Sequence, residues 1–80
     1  MSSVTDRVLK VTSDQLDHDI GDNQSLRLYE DLGADSLDLV ELAMAIEEEF
    51  DDENVELTDE IVHTWTDVSS VIVSVAEQVK

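Results

Sequence analysis

The 80-residue chain carries 21 acidic residues against four basic ones, a formal charge of -17 at pH 7. Nucleic acid and anionic membranes are therefore excluded as partners, and basic surfaces are favoured. It has no cysteine, so neither disulfides nor cysteine-ligated zinc can hold it, and a chain this short buries only roughly 60% of its unfolded surface on folding.

No apolar run approaches the ~18 residues of a membrane span, and the start MSSVTDRV lacks the basic and apolar stretches of a signal peptide. The expectation is one domain over residues 1–80, monomeric and cytoplasmic. Such acidity can accompany disorder, but 41% of the residues are hydrophobic and they recur at helical spacing, so the chain should fold.

The first predicted helix covers 3–16: Val4, Val8, Val11 and Leu16 lie on one face, with Leu9 and Thr12 beside it and Ser3 as N-cap. Periodicity then lapses over DHDIGDNQSLRLYEDLGAD, a long connection with isolated apolar residues, of the kind that is either packed down or functional. Gly33 suits a positive-φ turn, and the Asp35 carboxylate suits the cap of the next helix.

That helix, predicted over 36–50, is the strongest in the chain. Leu39, Leu42, Ala43, Ile46 and Phe50 form a complete core-facing stripe. A second stripe, Leu37, Val40 and Met44, points elsewhere and is edged by Asp38, Glu41, Glu47 and Glu48. After DDEN, a short helix is predicted over 58–63 with Thr58 as cap. A last one over 66–79 carries Val68, Val71, Ile72, Val75, Ala76 and Val79. Three main helices, one short helix and a long first connection make an all-α, four-helix bundle.

No catalytic residue and no metal ligand set is indicated. His18 and His63 fall in or beside loops, and no spacing relates Ser36, His63 and an aspartate as a triad. An EF-hand loop starting at Asp17 would have glycine at position 5 instead of 6 and Leu28 at position 12.

Ser36 is the residue that needs an explanation. A serine at a helix start is most often a cap or first-turn residue. With Asp35 available as cap, however, the Ser36 hydroxyl is released beside unpaired N–H groups and a positive dipole end, which favour an attached phosphate. The apolar stripe next to it resembles a docking face more than scattered exposed residues.

The stretch DLGADSLDLVELAMAIEEEF closely resembles the central motif of bacterial acyl carrier proteins, and VTDRVLKV in the first helix is also similar to that family. The resemblance implies an acyl-carrier-like bundle. It further implies a non-catalytic carrier in which a phosphopantetheinyl transferase, the holo-synthase, moves 4'-phosphopantetheine from coenzyme A to Ser36, between Asp35 and Leu37. Acyl groups then ride on the arm as thioesters in fatty acid or related acyl-chain synthesis.

It also implies that acyltransferases and synthase enzymes with basic patches dock on Asp35, Leu37, Asp38, Val40, Glu41, Met44, Glu47 and Glu48. Leu39, Leu42, Ile46, Leu57, Ile61, Val68 and Ile72 would line an expandable acyl pocket. Four positions depart from the family. Asn54 and Val55 stand where Ile-Pro is usual, making the approach to the short helix less rigid. Leu28 replaces a phenylalanine, and Trp65 replaces a small aliphatic residue, where it either caps the pocket or covers the short helix. A specialised carrier of polyketide, aminoacyl or D-alanyl units remains open, as does an acidic interaction module in which Ser36 is unmodified.

Overall fold

In the computed structural model, which describes residues 3–79, the order of elements is α1 (Val4–Leu16), α2 (Ser36–Glu49), a 3-10 turn (Asp51–Glu53), α3 (Asp59–His63) and α4 (Val68–Ala76). The fold is all-α, as the periodicity requires, and none of these helices is long and apolar enough to cross a membrane. Helix α1 packs against α2 and α4, and α2 against α3.

Each helix begins on a side-chain cap: Ser3 for α1, Asp35 for α2, Thr58 for α3 and Asp67 for α4. These caps take N–H groups that the helix itself leaves without partners. The core stripe of α2 is buried in full, from Leu39 to Phe50, and shares one core with Val68, Val71, Ile72 and Val75 of α4. On α1 the buried residues are Val8, Leu9 and Thr12, whereas Val4, Val11 and Leu16 are half-buried, so the core face is rotated from the predicted one. Thr12 tolerates burial because its hydroxyl donates to the Val8 carbonyl (2.7 Å).

The last helix is shorter than the predicted 66–79, for reasons at both ends. Asp67 has an extended backbone and pairs with Arg27 in an antiparallel bridge. Around that bridge the amides of Leu28, Val68 and Ser69 bond to the carbonyls of Thr66 (3.0 Å), Leu26 (3.0 Å) and Gln24 (2.9 Å). The backbone before Val68 is thus engaged with the long connection and cannot be helical. Beyond Ala76 the regular pattern breaks at Gln78, whose amide bonds to the Val75 carbonyl three residues back, while the Val79 amide still reaches the same carbonyl. The connection itself is packed down by Ile20, Leu28 and Leu32.

Arg7 of α1 holds the far end of α2. Arg7 donates to the Glu49 carboxylate (3.0 Å) and carbonyl (2.8 Å) and to Glu53 (3.1 Å), with its guanidinium 4.1 Å from the Phe50 ring centroid. Hydrogen bonding to Glu49 raises the Arg7 pKa further, against an opposing effect of desolvation.

The segment before α3 lacks proline but is tied down. Leu57 N–H donates to Glu47 of α2 (2.8 Å), Glu56 N–H donates to the Gln78 side chain (2.7 Å), and Gln78 donates back to the Glu56 carbonyl (2.8 Å). Trp65, between α3 and α4, is 2% exposed. Its indole N–H donates to Ser74 Oγ (2.9 Å), whose own hydroxyl donates to the Val71 carbonyl (2.8 Å).

Candidate functional site

The chain enters α2 through Gly33, at φ +66, and Ala34, which is buried and donates to the Leu28 carbonyl (2.9 Å). Positive φ at Gly33 is accessible without steric cost only because it has no Cβ. Asp35 then closes a capping box: its carboxylate accepts from Asp38 N–H (2.9 Å), and the Asp38 carboxylate accepts from Asp35 N–H (3.0 Å). Ser36 is the first residue of α2 and is exposed. Because Asp35 supplies the cap, the Ser36 hydroxyl is left out of it.

A small, partly enclosed cleft of about 40 Å³ lies beside Ser36, lined by Tyr29 from the connection, Leu39 and Val40 from α2, and Asp59, Val62 and His63 from α3. Tyr29, Asp59 and Val62 do not stand out in the sequence, and His63 stands out there only as one of two histidines with no spacing that relates it to Ser36. Asp59 and His63 are spaced i, i+4 on α3, a signal that fixes a shared face but not what that face meets. A wider open groove of about 690 Å³ lies elsewhere, between α3 and the end of α4, with Glu56, Glu60 and Glu77 in its walls.

The second apolar stripe of α2 faces solvent: Leu37 is 64%, Met44 59% and Val40 40% exposed. Glu41 and Glu48 are exposed beside it. Asp38 and Glu47 differ from these two, because both are half-buried and hold backbone amides. Of the residues expected to line an acyl pocket, Leu42, Ile46, Leu57, Val68 and Ile72 are buried in the core. Leu39 reaches the cleft beside Ser36, while Ile61 lines the wider groove instead.

The family model for the phosphopantetheine attachment site matches residues 6–72, from the first turn of α1 to the middle of α4. The chain belongs to the phosphopantetheine attachment site family. It is therefore a phosphopantetheine-carrying carrier protein, and the family attaches 4'-phosphopantetheine covalently to a serine. Carrier domains of this family interact with phosphopantetheinyl transferases and synthase enzymes.

The residues at the start of α2 fit such a group. The amides of Ser36 and Leu37 precede the first intrahelical bond, which Leu39 N–H makes to the Asp35 carbonyl (3.1 Å), and they lie at the positive end of a 14-residue helix. Asp35 and Asp38 would repel a phosphodiester, but both carboxylates already accept backbone N–H bonds that disperse their charge.

Proposed function

We propose that Ser36 carries the 4'-phosphopantetheine arm, within a carrier domain formed by the whole of residues 1–80, and that the protein serves fatty acid or related acyl-chain synthesis. The observation that carries this reading is the exposed Ser36 hydroxyl at the start of α2, relieved of capping by Asp35. When bound, the arm supplies the terminal thiol that this cysteine-free chain lacks, and acyl cargo is held on it as a thioester. The protein's own residues orient the attachment point: Gly33 turns the chain, the Asp35–Asp38 box fixes the helix start, and the first-turn amides favour the anionic linkage.

Exposed Leu37, Val40 and Met44, bordered by Glu41 and Glu48, support a docking face for the transferase and for synthase enzymes with basic patches. An acidic rim of this kind speeds encounter while leaving affinity modest, which suits a shuttle that must leave each enzyme. Asp35, Asp38 and Glu47 belong to the same region and add field to it, although each also holds a backbone amide.

The test is intact mass after incubation with coenzyme A and a phosphopantetheinyl transferase. The expected result is the gain of one phosphopantetheine in the wild type and none in Ser36→Ala. An equal gain in Ser36→Ala would place the attachment at another residue and no gain in either would favour the acidic interaction module; either result refutes the assignment. The second reading, a specialised carrier of polyketide, aminoacyl or D-alanyl units, is supported by Trp65, which is buried where the family has a small aliphatic residue.

A further inference from the structure

An apolar chain tethered at Ser36 gains by leaving water in proportion to the area it buries. The room available is small. The cleft beside Ser36 holds about 40 Å³, close to one water's share of liquid (roughly 30 Å³) and well below the roughly 150 Å³ of an engineered cavity that takes up benzene. Its floor is Leu39, 1% exposed, and Val62, 6% exposed.

Three residues beyond Val62 stands Trp65, whose amide donates to the Val62 carbonyl (3.1 Å). Trp65 heads the fully buried side chains in size, and a side chain of this kind buries roughly 150–250 Å². It is locked at both ends. The indole N–H is held by Ser74, and the residues that follow it are laced to the connection by the amides of Leu28, Val68 and Ser69. Cargo entering the space Trp65 fills would have to bury as much area as it exposes, leave the indole N–H and Ser74 without each other, and unhook a β-bridge.

We propose that Trp65 closes the interior of this carrier, so that acyl cargo stays outside the helix core, no deeper than the mouth of the cleft between α2 and α3. The inference rests on the attachment of the arm at Ser36. The arm is long and flexible, so a short unit can fold back against Tyr29, Val40, Asp59 and His63 at that mouth while longer chains extend into solvent.

The test loads the full chain with acetyl-, hexanoyl- and decanoyl-phosphopantetheine from the matching acyl-coenzyme A and a transferase, with intact mass recording each product. Thioester cleavage by hydroxylamine and the emission of the single tryptophan are then read. In the wild type the three cleavage rates should agree within about twofold, with emission unchanged. In Trp65→Leu the decanoyl form should be cleaved at least about fivefold more slowly than the acetyl form, as for a group accessible only through local opening.

Wild-type protection of decanoyl by about fivefold or more, with shifted emission, overturns the proposal. So does an unprotected decanoyl form of a folded Trp65→Leu. Circular dichroism checks folding; if the leucine variant does not fold, Trp65→Phe replaces it under the same criteria, and the wild-type comparison stands alone in any case. Absence of any mass gain instead overturns the Ser36 assignment, a result read before cleavage is measured.

Discussion

Asp38 and Glu41 stand one turn apart on α2, and lysine at either reverses a charge on the same acidic face. The structure separates them. The Asp38 carboxylate accepts Asp35 N–H at 3.0 Å as half of the capping box, whereas Glu41 is exposed. Asp38→Lys removes that bond and places a cation at the positive end of the helix. A lost cap contact of about 0.5–1 kcal/mol and an unfavourable dipole interaction of similar size sum to about 1–2 kcal/mol. For a domain of this length each kcal/mol lowers Tm by about 4–8 °C, so the drop should be roughly 4–16 °C. Glu41→Lys should leave stability within about 0.5 kcal/mol, as surface changes do, and it also relieves some self-repulsion.

Loading by the transferase should fall in both. A rim pair is worth about 0.2–1 kcal/mol, and reversal replaces the attraction by a repulsion of similar size, which corresponds to a fall of about two- to thirtyfold. Thermal melting and the rate of phosphopantetheine incorporation, each measured at low and high salt, read the two effects separately. The reasoning fails if Asp38→Lys melts like the wild type, or if Glu41→Lys is loaded at an unaltered rate at low salt.

Ser36→Ala should change stability by less than about 0.5 kcal/mol, since alanine is the better helix former and the cap lies elsewhere; Asp35→Ala should cost about 0.5–2 kcal/mol in urea unfolding. Glu47→Ala removes the acceptor of Leu57 N–H and should cost about 1 kcal/mol, with faster hydrogen exchange at the Leu57 amide as its specific sign. Raising salt from low ionic strength to about 0.5 M should raise Tm by screening repulsion within a chain of charge -17; a flat response would contradict this.

What the sequence reveals depends on whether the signal lies within one helix. The α2 core stripe and the opposing Leu37, Val40 and Met44 are readable because both follow a single 3.6-residue period, and the structure buries the first and exposes the second. The Asp35 cap is readable too, because capping is local. By contrast, the shorter α4 is set by pairing of Asp67 with Arg27 across a long connection, and no periodicity encodes that. Glu47 looks like one more acid on the rim until Leu57 is brought to it. Tyr29 and His63 become neighbours of Ser36 only through tertiary packing.

The placement of the basic residues supports the proposed docking role of the outer face of α2. Arg7 is bound to Glu49 and Glu53 at the far end of the helix, and Arg27 pairs with Glu30 (2.8 Å) and more loosely with Asp31 (3.6 Å) in the connection. Helix α2 itself contains no lysine or arginine. Its exposed carboxylates therefore lack cationic neighbours on their own helix, and their mutual repulsion opposes folding. Docking of a basic patch would remove that repulsion and cover Leu37 and Met44 together. The same arrangement that weakens the isolated domain thus adds to the free energy of each encounter, and added salt should raise its Tm while slowing its loading.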